Sequence, residues 1–530
     1  MFGRKTKKRL AAAFGAVPDP HYFSGDMEHI RTYSDFRAEN GRDAFLLDDV
    51  TWNDLELDRV FKRINPKRCT SGEQYLYYML RSPAVDRETY ESRREMIRFA
   101  EADPVRRLKI EVLLARTGCS RRADLCRAFY PSRHGVGRLL LYSALLLFLL
   151  VSIAGTALQL GFGLPYIAAA ILLNCFVHEL GRRSSQTDYD TVNYIVSMVF
   201  AMQKLRRLRD PELDRQMTGA YRSLDRLRAV LRTGGISTVM DSGGAGDVIT
   251  TVTLLDLIAY EFLKNKLGRC HEDVFTIHEH LGRLDAAISV ASYRASLERF
   301  AEPVLEFAED VPAFVRAEGM VHPLLENAVP NDLDTERPVL LTGSNASGKS
   351  TFLKTAALSV ILAQSICTAP ASSYRAAAFR VYSSMALRDD LTAGESYYIV
   401  ETRSMKRILD AAGRGERLLC VVDEVLRGTN TVERIAASSE VLRALAAAGA
   451  LCLAATHDVE LCDLLSGVYR MFHFTEQIGA ETMLFDYKLR SGPATSRNAI
   501  NLLRLMGFDE TLVENAHARA NRYLDTGAWR

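Results

Sequence analysis

The first part of the chain has the hydrophobic spacing of amphipathic helices. Apolar residues such as Leu55, Leu57, Val60 and Phe61 recur at intervals that place them on one helix face. The region 44–135 is therefore predicted to be helical, with helices at 72–81, 87–102 and 105–115, and the dipeptide Asn65-Pro66 interrupts the pattern. Residues 1–43 are predicted to be a polar lead-in whose basic start is a solvated tail.

The stretch 139–178 has a different pattern, because it contains no Asp, Glu, Lys or Arg. Residues 139–160 would form a helix about 33 Å long at ~1.5 Å per residue, which is enough to cross a hydrocarbon core of roughly 30 Å. A turn rich in Gly and Pro at 161–165 leads to a shorter apolar run at 166–177. The pattern predicts a two-helix transmembrane hairpin, and the alternative is a buried hairpin in a soluble helical domain.

The flanks of this hairpin are basic and the loop between its helices is uncharged. Arg133 and Arg138 precede it, and Arg182 and Arg183 follow it. Because positive charge concentrates on the cytoplasmic side of membrane segments, both ends of the hairpin are expected in the cytoplasm. The prediction is thus a cell-membrane protein with both termini cytoplasmic.

Charged amphipathic helices return in the region 180–318. They are predicted at 194–208, 211–232, 248–267 and 271–307, with a bend in the last at Pro303. A glycine-rich break at 234–246 separates the second from the third. Helices of this length favour a lever region that transmits motion, and a plain helical bundle is the alternative.

From residue 319 the chain alternates between strand and helix patterns, which is typical of an α/β fold. Strands are predicted at 339–342, 378–383, 418–422 and 451–455, and helices at 351–366, 401–412, 433–448 and 458–465. This α/β domain is predicted to span 319–495. Helices at 496–506 and 509–524 follow, the second with Asp509 as its N-cap.

The strand at 339–342 runs directly into a glycine loop and a helix start. The loop reads Gly343-Ser344-Asn345-Ala346-Ser347-Gly348-Lys349-Ser350-Thr351, and G-x-x-x-x-G-K-[ST] in this context is a phosphate-binding loop. Its backbone N–H groups and the helix N-terminus would bind phosphates. Lys349 would reach the β- and γ-phosphates, and Ser350 would ligate Mg²⁺. The predicted cofactors are ATP and Mg²⁺.

Two further buried strands end in candidate catalytic residues. The strand at 418–422 ends in Asp423 and Glu424, and the strand at 451–455 is followed by His457. Downstream of a phosphate-binding loop, Asp423 is expected to hold Mg²⁺ through its coordination shell. Glu424 is expected to act as general base on the attacking water. His457 would sense the γ-phosphate or hold that water.

Composition and charge narrow the class of protein. With 48% hydrophobic and 25% charged residues the 530-residue chain is globular rather than disordered. Its nine cysteines include no C-x-x-C pair, so reduced cysteines in a cytosolic compartment are expected rather than a disulfide framework. The formal net charge of +2 neither favours nor excludes a nucleic-acid partner.

Three segments together resemble a known family. The loop at 342–351, the run Asp423-Glu-Val-Leu-Arg-Gly-Thr-Asn-Thr431 and Ala455-Thr-His457 are similar to those of the MutS family of DNA mismatch repair ATPases. The run Arg427-Gly428-Thr429 is typical of that family among ABC-type ATPases. The resemblance implies an ABC-type P-loop α/β domain like MutS domain V, preceded by an all-α core. In this chain the transmembrane hairpin predicted from hydropathy interrupts that all-α core or lever region. It also implies a homodimer and double-stranded DNA as a partner.

Further segments extend the resemblance. His322-Pro323-Leu324 resembles the family segment that packs on adenine. The run 394–401, with Ser396, resembles the segment that contributes a serine across the dimer to the partner's nucleotide. The run 487–492 and the helices of 496–530 resemble the C-terminal dimerisation segment.

The chain also departs from the family pattern. Ser344 and Ala346-Ser347 replace the usual Pro and Met-Gly, and Tyr397-Tyr398 replace Thr-Phe. The 44 residues before position 45 leave no room for a mismatch-reading domain, and the apolar hairpin is absent from soluble members. We therefore expect a membrane-anchored member that lacks the mismatch-recognition domain.

The expected function is ATP binding and hydrolysis by a dimer that drives conformational change, with DNA binding related to mismatch repair or DNA maintenance. An alternative is a membrane scaffold or signalling protein that ATP switches and that does not bind DNA. A transporter with a fused ATPase is a third hypothesis, although a single hairpin offers no evident substrate pathway.

Overall fold

The computed structural model describes residues 2–41, 45–128, 135–158, 163–184, 186–233, 245–344, 347–385, 397–478, 483–494, 500, 503–504, 506–527 and 529. Among the described residues up to Ala295 the regular elements are helices: α1 (Phe2–Ala13), α2 (Asp26–Glu39), α3 (Asp49–Asp54), α4 (Leu57–Ile64), α5 (Thr70–Arg81), α6 (Arg87–Ala102), α7 (Pro104–Thr117), α8 (Leu125–Ala128), α9 (Gly135–Ala157), α10 (Leu164–Ser184), α11 (Gln186–Arg206), α12 (Pro211–Thr233), α13 (Ala245–Thr253), α14 (Leu255–Gly268) and α15 (His271–Ala295).

Strands and helices alternate in the remainder. The strands are β1 (Val304–Glu306), β2 (Val315–Met320), β3 (Asn331–Thr335), β4 (Val339–Thr342), β5 (Ser373–Ala377), β6 (Arg380–Ser384), β7 (Leu418–Asp423), β8 (Leu451–Ala455), β9 (Arg470–His473), β10 (Glu476–Ile478), β11 (Met483–Phe485) and β12 (Arg490–Ser491). The helices are α16 (Lys349–Ile366), α17 (Tyr397–Ala412), α18 (Thr431–Ala447), α19 (Glu460–Leu465) and α20 (Glu510–Thr526).

Residues 1–42, 64–78 and 95–293 form one compact, helical unit. Helices α5 and α15 approach so closely that a Cβ on Gly72 would lie 1.7 Å from Asp285 Oδ2. Asp285 Oδ1 accepts a hydrogen bond of 2.6 Å from the buried Arg68 guanidinium, which also lies 3.6 Å from Glu111. Buried charges are stable only when they are paired in this way, so this cluster fixes how the helices of the unit pack.

The helices α9 and α10 contain the two candidate membrane spans. The windows Gly137–Ala157 and Leu164–Gly181 have mean hydropathies of 2.3 and 1.4, and only 22% of each window is buried. By length and composition both helices could cross a membrane. Their exposed side chains include Leu140, Leu147, Leu172 and Phe176.

Residues 43–63, 79–94 and 294–530 form the second compact unit. Within its described residues, six strands pair in the order β12-β9-β4-β8-β7-β6. The neighbours from β9 to β6 are parallel, and β12 is antiparallel to β9. Helix α16 packs on β7 and β8 and is buried from Phe352 to Ile366 except at Lys354. A second sheet has the order β1-β5-β2-β3.

The short helix α3 belongs to this second unit and supports the end of β6. Asp54 Oδ2 accepts hydrogen bonds from Ser383 Oγ at 2.6 Å and from the Met385 backbone N–H at 3.0 Å. Thr51 Oγ1 accepts a third from the Ser383 backbone N–H at 3.1 Å. Residues distant in sequence thus hold the chain where it leaves the sheet.

Several sequence predictions are confirmed in position. The strands at 339–342 and 451–455 and the helix at 87–102 have the predicted bounds. Asp509 caps α20, because its side chain accepts from the Leu512 N–H at 3.2 Å. The helix predicted at 496–506 and the glycine-rich break at 234–246 lie largely outside the described residues.

Other predictions are wrong. The helix predicted at 271–307 ends at Ala295, and Val304–Glu306 forms a strand paired with β5 instead of continuing past a bend at Pro303. The helix predicted at 248–267 breaks at Leu254, whose φ of 57° is left-handed. Residues 1–43, predicted to be a polar lead-in, contain α1 and α2, and α2 buries Ile30 and Tyr33. The sheet containing β1, β2, β3 and β5 was not predicted.

Candidate functional site

Strand register brings the predicted site residues together at one edge of the six-stranded sheet. Ala455 of β8 pairs with Leu341 of β4 on one side and with Asp423 of β7 on the other. The glycine loop follows β4, and His457 lies two residues beyond Ala455. Because carboxyl ends of parallel strands share one edge, the loop, the acids and the histidine meet at the usual ligand position of an open α/β sheet.

The glycine loop needs glycine at both ends for different reasons. Gly343 has a φ of 139°, and a Cβ there would lie 2.8 Å from the Phe474 backbone oxygen. Gly348 has a φ of 106° and is the N-cap of α16. Lys349 Nζ donates to Gly343 O and Ser344 O at 2.8 Å each. The lysine ammonium is therefore held over the loop where phosphate oxygens would lie.

Glu424 lies in a network of charged side chains. Its Oε1 is 2.8 Å from His457 Nε2, and its Oε2 is 2.6 Å from Arg427 Nε. His457 Nε2 is also 3.4 Å from Lys349 Nζ. The hydrogen bond from His457, followed by the charge of Arg427, holds the pKa of Glu424 below its usual range. Glu424 is thus an ionised carboxylate at neutral pH.

The turn after the two acids is held in an unusual conformation. Glu424 and Leu426 have φ values of 58° and 59°, in the left-handed region that residues other than glycine rarely adopt. The buried Glu401 accepts a hydrogen bond of 3.1 Å from the Arg427 backbone N–H, and desolvation raises its pKa. Such strain persists only where surroundings over-determine it, and Glu401 is one of the residues that do so here.

A cavity of about 840 Å³ adjoins these residues. Its lining includes Ser344, Gly348, Lys349, Ser350, Thr351, Asp423, Glu424, His457 and His322. Burial lowers the pKa of His322 to about 4, so its ring is neutral at neutral pH. Its Nδ1 accepts from the Leu324 backbone N–H at 3.3 Å. Pro323 and Leu324 are not among the lining residues.

Some predicted site residues fall outside the described part of the chain. Asn345 and Ala346 of the loop and Ser396 of the segment assigned to the partner site lie there. Of the loop residues that are described, Ser347 has a buried hydroxyl oxygen without a hydrogen-bond partner. A buried polar atom of this kind normally has a partner, and a phosphate oxygen would supply one.

Tyr487 lies in the segment 487–492 that resembles the dimerisation segment of the family, and in the structure its side chain also lines the cavity. Its ring lies 3.1 Å from the position of a Cβ on Gly348, and it lines the cavity beside Lys349. Asn331 fixes the backbone here, donating to Tyr487 O at 2.9 Å and accepting from the Leu489 N–H at 2.7 Å. The sequence around Tyr487 contains no signal that would distinguish a residue of a dimerisation segment from a residue that lines the cavity.

Lys354 is a second lining residue that sequence reasoning missed. It forms an ion pair of 2.7 Å with Glu56, at the start of α4. The bonds from Lys354 and Arg59 lower the pKa of Glu56 to about 2. The pair joins the cavity wall to the segment 43–63 of the same unit, a link between residues almost 300 positions apart.

The residues present fit a nucleoside triphosphate with Mg²⁺. The cavity volume lies within the ~300–1,000 Å³ typical of ligand sites. The loop supplies the close backbone approach, the ammonium of Lys349 and the unpartnered Ser347 hydroxyl for phosphates. Ser350 and Asp423 supply the oxygen ligands that Mg²⁺ prefers. Fold and site together define a domain of the P-loop ATPase type.

Comparison with known proteins shows a family match in the C-terminal part of the chain. A family model of MutS domain V matches residues 339–523. The chain is 31% identical over 278 residues to DNA mismatch repair protein MutS 2 of Halobacterium salinarum, covering 50% of this chain and 31% of the relative. It is 36% identical over 251 residues to DNA mismatch repair protein MutS of Symbiobacterium thermophilum, covering 44% and 28%. Residues 339–523 therefore match MutS domain V, and over this part the chain is similar to proteins of the MutS family.

The similarity is partial in both directions. The matched regions span about a quarter to a third of the length of these relatives, as in the MutS of Natronomonas pharaonis, where 36% identity over 212 residues covers 24% of the protein. The predicted resemblance to the MutS family is therefore confirmed for residues 339–523.

Proposed function

We propose that this protein is a membrane-anchored ATPase that binds and hydrolyses ATP as a homodimer and couples the nucleotide state to binding of double-stranded DNA. One observation carries the proposal. Lys349, Asp423, Glu424 and His457 line a single cavity of about 840 Å³ at the carboxyl edge of a parallel sheet.

Each residue has a role that follows from its position. Lys349 and the loop N–H groups bind the β- and γ-phosphates, and Ser350 and Asp423 hold Mg²⁺. Bound Mg²⁺ neutralises charge on the phosphates. Glu424 is ionised, and it accepts a proton from the attacking water once its ion pair with Arg427 opens. His457 orients Glu424 through the 2.8 Å contact. Tyr487 and the neutral His322 contribute the less polar part of the cavity.

A dimer is supported by the uncovered apolar side chains of the C-terminal segment. Met506, Phe508 and Leu512 are exposed within seven residues of one another at the start of α20. Exposed apolar residues that cluster in this way mark interaction surfaces. In the dimer, Ser396 of each subunit is proposed to complete the nucleotide site of its partner, as the family resemblance implies.

DNA is proposed as the partner because the relatives are named DNA mismatch repair proteins. The test measures ATP hydrolysis by the detergent-solubilised protein with duplex, mismatched or branched DNA at two salt concentrations. Stimulation that fades with salt is expected, since phosphate contacts release counterions. Hydrolysis indifferent to every DNA would overturn the DNA arm and favour the ATP-switched scaffold.

The proposed ATPase activity is tested with a catalytic variant and a matched control variant. Lys349→Ala should abolish hydrolysis, whereas Lys406→Ala should not, because Lys406 is exposed on α17 and pairs only locally with Asp410. Equal hydrolysis by Lys349→Ala and wild type would contradict the assignment of the cavity as the catalytic site.

The membrane arm rests on the largely exposed α9 and α10. A buried soluble hairpin would cover most of these side chains, yet 22% of each candidate span is buried. The protein is therefore proposed to reside in the cell membrane with its ATPase domain in the cytoplasm. Retention in the membrane pellet after alkaline carbonate, with release by detergent, is expected. Release by carbonate alone would overturn the anchor.

A further inference from the structure

Helix α13 is fixed to the second helix of the hairpin by a polar contact. The fully buried Asn174 of α10 donates from Nδ2 to the Val252 backbone oxygen at 2.7 Å. Val252 lies in the last turn of α13, where carbonyl groups lack partners within the helix. The break at Leu254, with its φ of 57°, ends α13 at this point. The amide of Asn174 thus caps α13 from outside.

A second contact lies four residues further along both segments. His178 Nε2 is 2.8 Å from Asp256 Oδ2. Leu254 and Leu257 are buried against Tyr142 of α9. These contacts place the break between α13 and α14 beside the C-terminal half of α10, next to the hairpin.

Helix α13 packs against α10 and, like the hairpin, exposes apolar side chains. Val248 and Ile249 are 64% and 61% exposed, comparable with Leu172 of α10 at 71%. No charged residue occurs between Asp247 and Asp256. Exposed apolar residues grouped beside an apolar hairpin mark interaction surfaces, membrane contacts among them.

We propose that α13 is a third lipid-contacting element, which lies in the membrane interface beside the hairpin with Val248 and Ile249 facing the acyl chains. The proposal rests on the membrane anchor proposed above. Nine residues give a helix of about 14 Å, too short for a hydrocarbon core of roughly 30 Å. Acidic residues at both ends also exclude it from the bilayer centre. An interfacial helix buried roughly 5–10 Å meets both conditions.

Tryptophan substitution tests this contact, because the chain has only two tryptophans, Trp52 and Trp529. The full chain carrying Ile249→Trp, Leu172→Trp or Val105→Trp is reconstituted in phosphatidylcholine–phosphatidylglycerol vesicles with increasing brominated phosphatidylcholine. Leu172 reports the hairpin, and Val105 is an exposed apolar position on α7. The wild-type emission is subtracted, and nucleotide binding verifies that each variant is folded.

Quenching of the added emission in Ile249→Trp and Leu172→Trp, but not in Val105→Trp, is the expected result. If Leu172→Trp is quenched and Ile249→Trp is not, α13 does not contact lipid although the anchor stands. If neither is quenched, the anchor itself fails, and the inference fails with it. Equal quenching at all three positions would indicate non-specific adhesion and would also overturn the contact of α13.

Discussion

Asp54→Ala should destabilise the ATPase domain through a contact distant from the nucleotide. Asp54 is 5% exposed, and its Oδ2 accepts from the Ser383 hydroxyl and the Met385 backbone N–H. Met385 lines the nucleotide cavity. Removal of the carboxylate leaves two buried donors without this acceptor, so an effect on both folding and nucleotide binding is expected.

The magnitude follows from the two donors. A buried donor left without its partner costs about 1–3 kcal/mol. The Ser383 hydroxyl can rotate and the backbone N–H cannot, so we expect a loss of roughly 3 kcal/mol in the free energy of unfolding. Asp54→Asn retains an acceptor oxygen and should lose about 1 kcal/mol. A matched control is Asp334→Ala, because this carboxylate is exposed in a 3.4 Å pair with Arg316 and should change stability by no more than ~0.5 kcal/mol.

Calorimetry of the detergent-solubilised protein measures these differences. A loss of ~3 kcal/mol should lower the Tm of the ATPase transition by roughly 6–12 °C, and the ATP affinity of Asp54→Ala should fall with it. If Asp54→Ala has the same Tm as Asp334→Ala and binds ATP as tightly as wild type does, the support of β6 by α3 is refuted.

Three further outcomes are expected. Gly343→Ala should abolish ATP binding, because its Cβ would lie 2.8 Å from a backbone oxygen. The control is Gly449→Ala, which has a φ of 77° and open space around it, so it tests the effect of backbone strain without a steric clash and should bind ATP normally. Equal ATP binding by the two variants would contradict the steric argument. Tyr487→Ala should weaken ATP binding about fivefold or more, which corresponds to the ~1 kcal/mol at the lower end of base–aromatic stacking. Unchanged affinity in Tyr487→Ala, or an equally large loss in Tyr487→Phe, would show that the aromatic ring does not contribute to ATP binding. The hydrogen bond from His457 is the largest cause of the lowered pKa of Glu424. The folded protein is therefore stabilised by this contact at pH values above the pKa that Glu424 has in the unfolded chain. This stabilisation is lost as the pH falls through the pKa of Glu424 in the folded protein. His457→Ala should accordingly move the acid limb of the kcat/KM profile to higher pH, and an unmoved limb would show that the contact does not tune Glu424.

The sheet edge that forms the site could be predicted because its strands are buried on both faces. Continuous apolar runs at 339–342, 418–422 and 451–455 end directly in the loop, the two acids and the residues before His457. In parallel sheets such runs are typical, and their carboxyl ends share one edge. The order of these runs in the sequence was therefore enough to predict that the catalytic candidates lie at one edge of the sheet. The strand register in the structure places Ala455 between Leu341 and Asp423.

The second sheet could not be predicted, because its strands are short and partly exposed. The strand Asn331–Thr335 reads Asn-Asp-Leu-Asp-Thr and buries only Leu333 and Thr335. Polar residues of this kind also favour turns. The end of α15 was missed because helical spacing continues past Ala295, whereas Pro303 restricts the preceding residue and favours the extended chain that pairs with β5.

Long-range contacts account for the site residues that sequence reasoning missed. Asp54, Glu56 and Tyr487 act through partners far away in the chain, and each has an ordinary local sequence. Only the folded structure shows that Glu56 pairs with Lys354 at the cavity wall.

The most direct test of the ATPase assignment compares ATP binding and hydrolysis in Glu424→Gln and wild type. The amide keeps the size of the side chain and removes its capacity to accept a proton. The account predicts that Glu424→Gln binds ATP with an affinity close to that of wild type and loses at least ~100-fold of its hydrolysis rate, the usual contribution of a general base. Hydrolysis by Glu424→Gln at the wild-type rate would contradict the account.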